Sequence, residues 1–169
     1  MVRKKNALLI LFFVSLSGYV HAQTSSYEEL QAAYIFNFAK YIRWPEETPE
    51  FVIGVYGKPE IIELFKNTLA GKRVGGRDIL VRAVEGAEDV TGCSIIYIAS
   101  SASKMLKTLV SVTARKSILI VTAEDMISSG AMISFVVEDD KLKFKIKRKT
   151  LSETGLVASD GLLKLAILL

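Results

Sequence analysis

Residues 51–69 read Phe51-Val52-Ile53-Gly54-Val55-Tyr56-Gly57-Lys58-Pro59-Glu60-Ile61-Ile62-Glu63-Leu64-Phe65-Lys66-Asn67-Thr68-Leu69, and this stretch decides the fold. Its first six residues are apolar, β-rich and short, which predicts a buried strand over 51–56 ending at Gly57. Pro59 then opens a segment whose apolar residues recur at helical spacing, which predicts a helix over 59–69 with proline at its first position. Working outward, a glycine-rich turn precedes a strand over 79–84, and a further strand is expected over 94–99. A helix over 102–114, a short buried strand over 118–121 and a helical turn over 124–128 follow. Residues 133–137 and 142–146 read as a hairpin joined at Glu138-Asp139-Asp140-Lys141, and 159–168 reads as a last helix. This alternation of strand and helix favours a sheet covered on both faces, and the hairpin adds antiparallel strands. The expected fold is α/β: a single compact domain, a mixed β-sheet with helices on both faces, and a C-terminal β-hairpin plus helix.

Upstream, a helix is expected over 27–42, with Ser25 or Ser26 as its cap and Pro45 as its stop. Leu30, Ala33, Tyr34, Phe38, Tyr41 and Ile42 mark one apolar face, while Ile35, Phe36 and Ala39 add a second. A helix apolar nearly all round is covered on more than one side, by a sheet on one and a second subunit or partner on the other. Earlier still, Arg3-Lys4-Lys5, the apolar run 7–14 and the small-residue exit Val20-His21-Ala22 have the layout of a secretory leader. The run is too short for a membrane anchor, which needs roughly 20 apolar residues. The expected division is a signal peptide at 1–22, cleaved after Ala22, and one domain at 23–169, exported to the periplasm without stable membrane insertion.

Cleavage changes the chemistry. His21 is the chain's only histidine, so the mature domain would have no imidazole for Ser-His-Asp or Cys-His catalysis or for metal ligation. Loss of Arg3, Lys4 and Lys5 would take the formal net charge from +4 to +1, removing compositional support for nucleic-acid binding. Cys93, the one cysteine, opens the apolar strand Ser94-Ile95-Ile96-Tyr97-Ile98 and reads first as a small buried hydrophobe, second as a redox thiol.

The remaining motifs are weak as chemistry. Gly71-Lys72-Arg73-Val74-Gly75-Gly76-Arg77 lacks the Lys-Ser/Thr ending of a phosphate loop and leads into a strand, so it reads as a turn. Its rival reading is a basic patch of Lys72, Arg73 and Arg77, with Arg82 beside it, that docks an acidic partner. Lys141, Lys143, Lys145 and Lys147 alternate with apolar residues, as expected of an edge strand that resists aggregation. Ser100, Ser101 and Ser103 read as helix caps, because no histidine is placed to activate them. The acidic pairs at 124–125 and 138–140 lack calcium-loop spacing. Trp44 reads as a packing anchor, then as a ligand platform. No catalytic, cofactor or metal residue is expected.

The segment Ala32-Ala33-Tyr34-Ile35-Phe36-Asn37-Phe38-Ala39-Lys40-Tyr41-Ile42-Arg43-Trp44-Pro45 resembles the opening signature of the YfiR family (DUF4154) of exported bacterial proteins. Val55-Tyr56-Gly57, the glycine turn at 69–79, the cysteine-led strand at 93–98, residues 118–122, Gly130 to Phe135 and Leu162-Leu163-Lys164-Leu165-Ala166 resemble later family segments in order. The resemblance implies a periplasmic α/β protein that acts by binding, dimerises, and holds a membrane diguanylate cyclase inactive through its periplasmic sensory domain. That would lower cyclic di-GMP signalling and biofilm formation under redox or envelope control. Family members often pair several cysteines, whereas this chain carries only Cys93, and the family's Gly-Gly before Met is Gly130-Ala131 here.

The candidate contact residues are therefore Phe38, Tyr41, Trp44, Lys72, Arg73 and Arg77, with Cys93 as a possible redox thiol. Two alternatives stand beside the cyclase reading: an accessory to a sensor histidine kinase, and a small-ligand or surface-binding module whose glycine turns would sit at the strand ends. A hydrolase is disfavoured by the missing histidine.

Overall fold

The computed structural model describes residues 17–45 and 48–169, with side chains from residue 27 onward, so most of the expected leader lies outside the described residues. The segment 51–69 folds as its pattern dictates: strand β2 (Phe51–Tyr56), preceded by the short β1 (Ile42–Arg43), runs into helix α2 (Pro59–Leu69). Ile61, Phe65 and Leu69, spaced four apart, form the buried stripe of α2. The chain returns through β3 (Arg73–Val74) and β4 (Arg77–Ala83), and β4 lies parallel to β2. Then come β5 (Ile95–Ile98), a 3₁₀ turn from Ser100 to Met105, helix α3 (Leu106–Thr113), β6 (Leu119–Thr122), β7 (Ile133–Glu138) and β8 (Lys141–Ile146). With the last short strand β10 (Ile167–Leu168), the eight strands of the main sheet lie in the order β10-β8-β7-β6-β5-β2-β4-β3. β4, β2, β5, β6 and β7 are mutually parallel, and the β7–β8 pair is antiparallel. The mixed α/β fold is as expected.

The hairpin turn explains why β8 reverses. Asp139 and Asp140 both have positive φ, 52° and 57°, the geometry that a two-residue turn requires and that short acidic side chains tolerate.

Two cores flank the sheet. Helix α1 (Ser17–Tyr41) and α2 cover one face, where Ile35, Phe38, Phe51, Phe65, Tyr97, Phe135 and Phe144 are buried together. Phe38 packs edge-on against Phe144, centroids 5.0 Å apart, and stacks on Phe135 at 5.8 Å. On the opposite face, α3 buries Leu106 and Leu109 against Ile96, Ile98, Ile118 and Ile120, with Cys93 in the same cluster. A hydrogen-bond chain pins α1 to the sheet: the Tyr97 hydroxyl donates to Gln31 Oε1 at 2.5 Å, and Gln31 Nε2 donates to the Ala123 carbonyl at 3.1 Å. This satisfies a buried amide that would otherwise be costly. Burial pushes the Tyr97 phenol well up, with the Glu28 carboxylate adding to the effect.

Several expectations change. α1 begins at Ser17, so Ser25 and Ser26 lie within the helix and do not cap it; Ala22 and Gln23 favour helix and no proline interrupts. It ends at Tyr41 because Ile42 and Arg43 pair with Ala158 and Val157 of β9 (Val157–Ala158), ahead of Pro45. Its buried apolar stripe is Ala32, Ile35, Phe38 and Ala39, which takes members of both expected faces and adds Ala32, while Leu30, Ala33 and Tyr41 remain exposed. The serines at 100–103 start a 3₁₀ turn whose cap, Ala99, offers no side-chain bond. The expected last helix shrinks to α5 (Asp160–Leu163), capped by Ser159, and Ile167–Leu168 form β10, parallel to β8. Thus β8 is not wholly an edge: β10 covers its last two residues. Lys143 and Lys145 pair there with Glu138 at 3.0 Å and Asp125 at 2.6 Å. Helix α4 (Arg148–Glu153), hidden within a basic run, was not expected.

Candidate functional site

The basic turn and the aromatic end of α1 meet at the amino ends of the parallel strands. Gly75 and Gly76, both at positive φ, let β3 fold back on β4, which sets Lys72, Arg73 and Arg77 at that end of the sheet. The turn reading is correct, but its position differs from the strand ends expected for a ligand-binding module: it lies where β4 starts.

The cations rest on rings rather than on carboxylates. The Lys72 ammonium lies 5.0 Å from the centre of the Phe36 ring, and Lys40 shares that ring at 5.4 Å while reaching Tyr41 at 5.6 Å. The Arg77 guanidinium lies 5.3 Å from the Phe51 ring centre. Each contact is a cation–π attraction that holds a flexible side chain without neutralising it. Among the described residues, Lys40, Lys72 and Arg77 form no ion pair, and Arg77 Nε is buried without a hydrogen-bond partner. Arg73 differs: its Nε lies 3.0 Å from Asp78 Oδ1 and its Nη2 donates to the Gly76 carbonyl, so it locks the turn.

Trp44 anchors this end. Its ring stands at 88° to that of Phe51, centroids 4.9 Å apart, and its indole N–H donates to the Ser94 carbonyl at 3.3 Å. Packing is therefore its described role. Phe38 is withdrawn from the contact set, because it is 0% exposed and wholly occupied by the hairpin aromatics. Tyr41 is exposed and also lines an apolar groove of about 380 Å³ with Tyr34, Asn37, Phe144, Leu162 and Leu165. Within that lining, Leu165 is 72% exposed. The structure thus brings Tyr41, Trp44, Lys72 and Arg77 to one end of the molecule and adds Phe36 and Lys40. The signal for these two lay in the sequence, as a ring and a lysine one turn apart on α1.

Cys93 sits on the other face of the sheet. Arg82 Nη2 donates to the carbonyls of Asp89 at 2.7 Å and Thr91 at 2.8 Å and lies 3.2 Å from Cys93 Sγ. Burial nevertheless outweighs this cation and pushes the Cys93 thiol up, away from the reactive thiolate. A Cβ on Gly54 would come within 2.9 Å of the same sulfur and 2.7 Å of Val84, so the pocket admits no added atom. Among the described residues no group of His, Cys, Asp and Glu could hold a metal ion, and no helix is long and apolar enough to cross a membrane.

A family model described as DUF4154, YfiR/HmsC-like, matches residues 28–167. Curated proteins give no match. Among solved structures, the crystal structure of a conserved domain protein from Vibrio cholerae O1 biovar El Tor strain N16961 is similar, with a TM-score of 0.53 and 13% identity. The match covers 69% of this chain and 54% of that one, so the chain spans about half that protein's length, and the likeness shows the fold alone. The chain belongs to the YfiR/HmsC-like family.

Proposed function

We propose, from that membership, that the protein is a periplasmic regulatory binding protein without catalytic activity. It restrains a membrane-bound diguanylate cyclase by contacting the cyclase's periplasmic sensory domain, and so lowers cyclic di-GMP and biofilm growth. The observation that carries this reading is the set of cations Lys40, Lys72 and Arg77, held on Phe36, Phe51 and Tyr41 with no ion-pair partner among the described residues. Such a surface favours an acidic partner, because unneutralised charge steers encounter while the rings supply contact area. Self-association into a homodimer belongs to the same reading, supported by the exposed apolar groove beside Tyr41.

The test is in-cell crosslinking of tagged protein, with mass spectrometry of what is captured, beside a Lys72→Glu/Arg77→Glu variant. Capture of a membrane cyclase, lost in the variant, and a rise in cyclic di-GMP on gene deletion are expected. Unchanged cyclic di-GMP on deletion would refute the cyclase brake. Capture of a sensor kinase instead would move the protein to another pathway.

A further inference from the structure

The order in which the chain lays down its strands marks a second site, at the opposite end of the sheet. From β2 the chain crosses through α2 on one face to β4, on one side of β2. It then returns to β5 on the other side and crosses through α3 on the opposite face to β6. The connections leaving β2 and β5 therefore diverge, and the carboxyl ends of these neighbouring strands are left with a gap between them. In open parallel sheets this reversal point is where small molecules bind.

The gap is present as a cleft of about 350 Å³. Tyr56, Gly57 and Lys58 form the wall that follows β2, and Ser101, Lys104 and Met105 the wall that follows β5. The walls approach closely at the base: a Cβ on Gly57 would stand 2.9 Å from that of Ala99, so only glycine keeps the two strands at this spacing. Tyr56 and Met105 each pack one side on the α3 core and leave the other open. A phenol and an adaptable thioether lining the same cleft suit a flat apolar body. Lys58 and Lys104 are exposed on opposite walls, and neither forms an ion pair among the described residues, although Glu28 lies within electrostatic reach of Lys58. Ser101 adds a hydroxyl. The volume falls at the lower end of the range for small-molecule pockets, roughly 300–1,000 Å³.

We propose that this cleft binds a small aromatic anion, its ring between Tyr56 and Met105 and its anionic group between Lys58 and Lys104. The proposal does not depend on the docking surface at the other end. It is tested on the full protein by NMR titration with adenosine 5′-monophosphate and 1-naphthoate, with inorganic phosphate and adenosine as controls lacking ring and charge respectively. Expected are saturable amide shifts at 56–58 and 101–105 with one or both anions. Lys58→Glu/Lys104→Glu, both at exposed positions, should weaken that binding at least about ten-fold, which corresponds to about 1.4 kcal/mol. Lys72→Glu should leave it unchanged. Absence of saturation with both anions, shifts centred elsewhere, equal binding of phosphate alone, or indifference to the double reversal in a variant of unchanged circular dichroism would each overturn it.

Discussion

At the amino ends of the parallel strands, Trp44 stands edge-on to Phe51, bonds to Ser94, and leaves Arg77 capping the ring from outside. At the carboxyl ends of the same strands, Tyr56 and Met105 line an open cleft. One sheet thus has a closed end and an open end, and the cause lies in how the chain crosses it. The arrival of α1 and the β3–β4 turn fills the first, while α2 and α3 diverge from the second. Residues at the closed end should act mainly through stability, with function confined to the cations on its outer surface. At the open end, structural duty falls mainly on the close approach of Gly57 to Ala99, and the side chains lining the cleft should carry less of it.

The sharpest way to break this contrast is to truncate one side chain at each end. Phe51→Ala should cost about 3–5 kcal/mol in chemical denaturation, whereas Met105→Ala, at a half-buried position, should cost about 1–2 kcal/mol. Similar losses at the two sites would refute the division. Between the ends, Gly54→Ala should cost about 1–3 kcal/mol, because its methyl group would collide with Val84 and Cys93. Restoration by a simultaneous Cys93→Ala would locate the collision at the sulfur. Trp44→Phe keeps a ring against Phe51 but removes the bond to Ser94 and part of the indole's packing, so a loss of about 1–2 kcal/mol is expected by the same measurement. The smallest effect concerns the open end. Burial raises the Glu28 carboxyl above its usual range, with Lys58 offsetting part of the rise. The folded state therefore holds that proton more tightly than the unfolded state. Its contribution to stability is full below the unfolded value and is lost as pH rises through the folded one. Glu28→Gln should accordingly raise the melting temperature slightly at neutral pH and converge with the parent in acid.

Much of this architecture was legible in residues 51–146, where β2, β5 and β6 are short apolar runs and β8 alternates lysine with apolar residues. The two ends of the domain were less legible for a shared reason. Ile42-Arg43, Val157-Ala158 and Ile167-Leu168 are two-residue strands, too short to show any period, and their pairing is decided by distant partners. The stripe of α1 was misjudged because aromatic residues occur all round it, and only the sheet decides which of them it covers. At the docking surface, Lys72 and Arg77 stood out through the glycine turn, but nothing local indicated that Phe36 and Phe51 hold them. Phe38 misled in the opposite sense: composition alone does not tell a buried ring from a presented one. The carboxyl-end cleft was invisible to motif reading, since it arises from strand order rather than from any residue pattern.

The embrace of Phe38 by Phe135 and Phe144 has a consequence for biogenesis. α1 is made early, and the hairpin that covers its buried stripe is made much later. Until that hairpin emerges, the part of the stripe around Phe38 lacks its native cover, although β2, α2 and β5 already offer partners to the rest, and loop-closure entropy opposes the last meeting. An incomplete chain therefore carries an apolar helix into whatever compartment it enters, with a holding chaperone as its natural companion.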